Sequence, residues 1–192
     1  MTTQTVDGRE IVRAEKEVAE AIERLRQVRL AAPDEEVKDY ELLDGEGRGV
    51  MLSSLFGDKS DLILIHNMGS SCAYCTMWAD GFNGSLGAIQ DRAAFALVSP
   101  DSPETQRKFA DGRGWNFPMF SASESSFTGD MGYVSDTGGA QPGCSVFKKD
   151  DEGKILRVTH TPFGPGDLYN GIWHLFDLLD GGPGGWGPKF KY

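Results

Sequence analysis

Four aliphatic residues in succession, Leu62-Ile63-Leu64-Ile65, stand between the polar segments Lys59-Ser60-Asp61 and His66-Asn67. A short unbroken run of this kind predicts a strand buried on both faces, over 62–67, at the centre of a sheet. A Gly69-Ser70-Ser71 turn follows. Beyond it Cys75, Trp78, Ala79, Phe82, Leu86 and Ile89 recur at three and four, the spacing of one helix face, so a helix starts at about 73. The alternation of strand and helix continues downstream. Ala94–Ser99 reads as a second buried strand, and Ser102 caps a helix that Pro103 opens and that runs to Ala110. Trp115–Ser121 reads as a third strand. Pro142–Lys149 and Lys154–His160 form a hairpin about Asp150-Asp151-Glu152-Gly153. From about 166 the spacing predicts a last amphipathic helix, with Leu168, Ile172, Leu175, Phe176 and Leu179 facing inward.

Upstream, Asp7 and Glu10 have the spacing of a capping box. The helix they open, about 8–31, carries Ile11, Ala14, Val18, Ala21, Ile22, Leu25 and Val28 on one face and ends at Ala31-Ala32-Pro33. That stripe packs on its own domain or, alternatively, on a second copy in a homodimer. Asp44-Gly45 predicts a β-hairpin over 40–52. Residues 122–141 have no period and scatter Phe127, Met131, Tyr133 and Val134 among Ser, Gly, Asp and Thr. Either these aromatics cover a site or meet a second subunit, or the loop is a mobile surface excursion. The tail, 181–192, is too rich in glycine to fold alone.

At 192 residues the chain is expected to be a single domain, with its core over about 38–180. Its formal net charge of −10, with no basic run, excludes nucleic acid and anionic membrane as partners. No apolar run reaches the length of a membrane span. Met1–Asp7 lacks the basic-then-apolar pattern of a secretory leader. Two of the three cysteines form a C-x-x-C, which fits a reducing cytoplasm and a working dithiol better than an exported, disulfide-stapled protein.

That pair, Cys72-Ala73-Tyr74-Cys75, carries the chemistry. A structural zinc needs four ligands, and Cys144, His66, His160 and His174 offer no ligand spacing; covalent haem needs a His where Thr76 stands. Two cysteines packed in a core remain an alternative. The dithiol reading calls for no cofactor and no metal. Cys72 falls at a helix N-terminus, where free N–H groups and the helix dipole favour a thiolate, so it is expected to be partly exposed with a pKa below about 8.5. Cys75, one turn on, lies on the same face, is expected to be more buried, and can close a disulfide with it.

The order hairpin, strand, C-x-x-C helix, strand, helix, strand, long loop, Pro-led hairpin, helix resembles the thioredoxin-like fold: α/β, a mixed sheet with helices on both faces, here with an added N-terminal helix. The Leu42…Asp44-Gly45…Leu52-Ser53 hairpin is similar to that of the peroxiredoxin and membrane-tethered-thioredoxin branch. Gly114-Trp115-Asn116-Phe117-Pro118, Pro142-Gly143-Cys144-Ser145-Val146-Phe147 and Asp167-Leu168-Tyr169-Asn170-Gly171 resemble the bacterial DUF899 family, often called predicted dithiol-disulfide oxidoreductase. The resemblance implies that Pro142 is the cis-proline of thioredoxins, beside the Cys pair. It also sets His66, six residues before Cys72, where thioredoxins commonly carry a buried acid. Strand alternation allows His66 to face the helix of Cys75 and take its proton. The departures are Ser71 in place of the thioredoxin Trp, Ala73-Tyr74 in place of Gly-Pro, and no Pro-x-x-x-Thr-x-x-Cys of peroxiredoxins: those places hold Ile65 and Gly69 counted from Cys72, and Met68 and Cys72 counted from Cys75.

Three function classes follow. The first is a thiol–disulfide oxidoreductase acting on a thiol or disulfide substrate and served by a separate thiol reductant, with Cys72 as nucleophile and Cys75 resolving. The others are a thiol-dependent peroxidase working through a Cys72 sulfenic acid, and a binding module without turnover.

Overall fold

The computed structural model describes residues 7–192; Met1–Val6, most of the segment read for a leader, lie outside it. The described chain divides into two units, one ending at Asp34 and one over Glu35–Tyr192. The first is the helix α1 (Gly8–Ala31). Asp7 caps it by accepting from Arg9 N at 3.1 Å, and ion pairs such as Lys16–Glu20 run along it.

The second unit is built on an eight-stranded mixed sheet. Its strands are β1 (Glu35–Val37), β2 (Glu41–Leu43), β3 (Gly49–Met51), β4 (Asp61–His66), β5 (Ala94–Ser99), β6 (Met119–Ser121), β7 (Gly143–Lys149) and β8 (Ile155–Pro162), in the order β1-β8-β7-β4-β5-β6-β2-β3. The aliphatic run is central, parallel to β5 and antiparallel to β7. Both expected hairpins are present, β2 with β3 and β7 with β8. The third strand is shorter than the apolar run predicts. Pro118 has no N–H to give a ladder, so regular pairing starts at Met119 while the Pro118 carbonyl accepts from Leu97 N at 3.0 Å.

Alternation along β4 and β5 divides the core in two. Leu62, Leu64, Ala96 and Val98 point to one face, and Ile65, Phe95 and Leu97 to the other. The second face is covered by α2 (Ala73–Gly84), α3 (Leu86–Arg92) and α4 (Pro103–Arg113), through Trp78, Phe82, Ile89 and Phe109. The first is covered by a 3-10 helix over Leu52–Phe56 and by the long loop, in which α5 (Phe127–Asp130) forms a single turn. The loop is therefore neither a surface excursion nor a cover for the dithiol. Phe127 is fully buried, and Met131 and Tyr133 almost so, on the face away from α2.

Two expectations fail. The last helix, α6, covers only Ile172–Phe176, and Leu168, Leu175 and Leu179 are exposed. Asp167 accepts from the N–H groups of Gly164, Tyr169 and Asn170, which holds 164–170 as turns instead of a helical start. The Pro142 peptide bond is trans, like every other among the described residues. The segment before β7 is held extended by Gln141 N donating to the Tyr133 carbonyl (2.8 Å) and by Phe163 N donating to the Pro142 carbonyl (3.0 Å), and it needs no bend.

At Gly143 the backbone is close-packed. An added Cβ would overlap the Tyr133 ring and lie 2.5 Å from the Thr161 carbonyl oxygen. Gly143→Ala is therefore expected to destabilise by about 1–3 kcal/mol, as overpacking does, read from the urea midpoint. Gly87→Ala, in α3 with nothing within 4 Å of its added Cβ, is the opposite case and should hold or raise the midpoint.

Candidate active site: a dithiol at the ends of two parallel strands

β4 and β5 run parallel and end side by side. The turn from β4 to α2 starts beside the end of β5 and is held by side chains. Asn67 Oδ1 accepts from Gly69 N at 2.7 Å, and Asp101, just past β5, accepts from Ser70 N at 2.6 Å. Gly69 has φ +105°, and a Cβ there would meet Asp101 Oδ1 at 2.8 Å, so both the turn and the close approach require glycine.

The turn delivers Cys72 to the N-cap of α2, with extended backbone and its Sγ accepting from Cys75 N at 3.1 Å. Its carbonyl accepts from Thr76 twice, from N at 3.0 Å and from Oγ1 at 2.9 Å, which fixes the first helical turn. Cys72 is half-buried, and its thiol pKa is lowered to about 6. The Cys75 thiol hydrogen bond is the largest cause. The amide N–H groups of Cys75 and Tyr74 add to it, and burial opposes them. Cys75 is 3% exposed, and its pKa is raised, first by the hydrogen bond it gives Cys72 and then by burial. Met68 N points at its sulfur from 3.4 Å and works the other way. All three cysteines are free thiols. The pair thus holds one proton unequally, with the exposed sulfur as the anion.

The other predicted site residues are elsewhere. His66 is on β4 one residue out of phase with the α2 face. Its ring stacks on Tyr133 (3.7 Å between centroids, 16°) and on Phe127 (5.5 Å), and its Nε2 lies 3.0 Å from Ser145 Oγ. It cannot reach the proton of Cys75, and burial, with Arg157 and His160 adding, lowers its pKa to about 3. Pro142, in the trans form, brings no cis bend to the pair. Cys144 pairs across from Ile65 and lies half-buried against the aromatic cluster of the α2 face.

Two groups of residues at the site were not foreseen. Asp101 had a readable signal, being the first acidic residue past the strand parallel to the central one. The aromatic cover had none. Tyr74, between the cysteines, stacks on Trp173 of α6 at 6.1 Å, and Trp186 of the tail closes on Trp173 and Phe176 at 5.9 and 4.8 Å. Among the described residues no group of three or more His, Cys, Asp or Glu side chains could hold a metal ion, and no helix is long and apolar enough to cross a membrane.

Comparison with known proteins bears on the family and the fold. The profile of a bacterial family, described as a protein of unknown function (DUF899), matches residues 5–189. No curated protein matches the chain. Among solved structures, peroxidoxin BcpB of Mycobacterium tuberculosis is similar at 25% identity, over 67% of this chain and 84% of its own, with a TM-score of 0.55. A PrxQ mutant of Xylella fastidiosa (15% identity, 73% and 89% covered, TM-score 0.57) shares the fold. So does reduced Prx3 of Vibrio vulnificus in complex with hydrogen peroxide (17%, 71% and 90%, 0.56). The fold is thioredoxin-like, in the form that peroxiredoxins have.

Two measurements check the electrostatics. Iodoacetamide should label Cys72 first, with a rate that rises through pH about 6 and levels off above pH about 7; faster labelling of Cys75 or Cys144 would overturn the assignment. His66 is neutral when folded and protonates when unfolded, so between its folded pKa of about 3 and the ordinary 6.5 the unfolded chain binds the extra proton. Stability therefore rises with pH across that window and is complete above it. The stability advantage of wild type over His66→Phe should shrink by about 2 kcal/mol from pH 7.5 to pH 5. A constant difference in denaturant unfolding would show that His66 titrates normally.

Proposed function

We propose that this chain, which belongs to the bacterial DUF899 family, is a thiol-dependent redox enzyme and, more finely, a thiol–disulfide oxidoreductase. The observation that carries the reading is the unequal pair, a half-exposed Cys72 at a helix N-cap with its pKa at about 6 and a buried Cys75 that donates to it. In the proposed exchange the Cys72 thiolate attacks one sulfur of a disulfide, and that S–S bond breaks. One thiolate leaves and is protonated by water, and a mixed disulfide remains on Cys72. Cys75 then loses its proton to solvent and attacks the Cys72 sulfur, which breaks the mixed disulfide and releases the second thiolate to be protonated by water. The substrate gains two electrons, and the protein ends as the Cys72–Cys75 disulfide, to be reduced by a second dithiol.

The second step needs no imidazole. The largest cause that keeps the proton on Cys75 is the Cys72 thiolate itself. Once Cys72 is bonded to substrate sulfur that charge is gone, and the N–H of Met68 is left to favour the Cys75 thiolate against burial.

Peroxide reduction is the second reading, favoured by the likeness to the peroxidoxin of Mycobacterium tuberculosis. There Cys72 would attack the peroxide O–O bond to give a sulfenic acid and an alcohol or water. Cys75 would then displace water from it and leave the same disulfide. Against it, Gly69 stands where peroxiredoxins carry the threonine three residues before the reacting cysteine.

Cys75→Ser should trap the Cys72 mixed disulfide, seen as an adduct mass, and abolish turnover in insulin reduction with dithiothreitol. Cys72→Ser should lose both adduct and turnover, a fall of at least about a thousandfold, since Cys75 is buried and the half-buried Cys144 has no resolving thiol one helical turn away. Peroxide consumption that outpaces disulfide reduction under the same conditions would give the assignment to the second reading.

A further inference from the structure

Alongside the Ser70-Ser71 turn, next to Cys72, lies an open and mainly apolar groove of about 770 Å3. α4 forms one wall with Lys108 and Phe109, and the C-terminal tail forms the other with Phe190 and Lys191. The tail is pinned there. Arg113 Nη1 donates to the Phe190 carbonyl at 3.0 Å, and the Phe109 and Phe190 rings meet edge to face at 6.4 Å. The charges in the groove are not balanced. Arg113 is matched by Asp80, which it grips through Nε at 2.9 Å. Lys108 and Lys191 have no ion pair or hydrogen bond among the described residues, and both are exposed. In a chain with a net charge of −10, the charged side chains that line the groove are thus all basic, and the nearest carboxylate at the turn, Asp101, is engaged by the Ser70 N–H.

Resting on the dithiol reading above, we propose that this groove selects the substrate, and that the substrate is a small disulfide bearing carboxylates. The volume is that of small-molecule sites, which combine apolar walls with a few placed polar groups. The phenyl rings take the aliphatic part of the molecule, and the two ammonium groups act as mobile point charges for its carboxylates. The half-buried Ser70 and the exposed Ser71 line the groove and directly precede Cys72, so a disulfide seated on the walls lies beside the nucleophile's own turn. Fixed positive charge also raises the rate of encounter with anions. Attack transfers one half of the disulfide to Cys72 and releases the other as a thiol; resolution by Cys75 releases the second, and a dithiol reductant returns the protein to its starting state.

The test compares three disulfides of different charge: glutathione disulfide (anionic), bis(2-hydroxyethyl) disulfide (neutral) and cystamine (cationic). Each is mixed with the Cys75→Ser protein, and the rate of Cys72 adduct formation is read by mass. Leaving groups differ among the three, so each disulfide is compared only with itself, by the change in its rate on adding Lys108→Glu and Lys191→Glu. The rate should fall about tenfold for glutathione disulfide, rise by about as much for cystamine, and stay within about twofold for the neutral disulfide. Both lysines are exposed, and Lys108→Gln with Lys191→Gln repeats the test with a smaller charge change. Rate changes that are equal for all three disulfides overturn the groove while leaving the dithiol reading intact. Insulin reacting faster than glutathione disulfide, with neither rate moved by the charge reversals, overturns it as well. If even the neutral disulfide forms no adduct on Cys72, the dithiol reading itself fails.

Discussion

The hydrogen bond from Ser70 N to the Asp101 carboxylate ties the ends of two parallel strands together, and the site depends on it. Without it the six-residue path from β4 to α2 would be a solvated glycine-serine turn with many conformers. With it, Gly69 is pressed against the carboxylate, the following residues turn sharply, and Cys72 arrives at the N-cap with its sulfur over free amides. The turn thereby sets Cys72 against both groups that lower its thiol pKa, first the Cys75 thiol that donates to it and then the amides of the first helical turn. The N–H groups that lower it are those any helix leaves unpaired in its first turn, and the turn decides which side chain meets them.

Strand parity governs what can face that helix. On β4, Ile65 points under α2 and His66 points away, into the rings of Phe127 and Tyr133. The parity of His66 with Leu64 was readable from the sequence, because side chains alternate in any strand. Which face would receive α2 was not, because an unbroken run of four aliphatics offers two equally apolar faces. The choice is visible only once 122–141 packs. That stretch has no period, so its four buried side chains gave no sign of the surface they would cover. Buried and neutral, with Nδ1 unpartnered, the imidazole belongs to the core under the loop and is a poor proton carrier for thiols on the other side of the sheet.

Elsewhere, legibility followed the strength of the local signal. The central strand, both hairpins, the capped α4 and the order of elements all rest on periodicity, Asp-Gly turns and cap residues, and they are where those signals put them. The end of the chain was misread. Leucines at helical spacing after Asp167 looked like a stripe, but a side chain that accepts three local N–H groups competes with helix formation, and glycines at positive φ from Gly181 to Gly185 redirect the chain. A tail too glycine-rich to fold alone is nonetheless held by Trp186, Phe190 and Arg113, because its few large residues find aromatic surface already built by α2, α4 and α6.

The pair of thiols and the surfaces around it form one electrostatic unit. Cys75 keeps its proton because Cys72 is charged, and Cys72 is charged in part because Cys75 donates to it. Any reaction that bonds the outer sulfur to a substrate removes the charge and, with it, the main reason for the inner proton to stay. The first step therefore prepares the second without a separate base. This accounts for a site that can lack an acid or imidazole beneath the buried cysteine. The mixed disulfide holds its half of the substrate by a covalent bond while Cys75 deprotonates, so the surroundings can act only on the encounter that precedes it. In the groove proposed above, α4 and the tail would act at that stage, where the Ser70-Ser71 turn leads to Cys72.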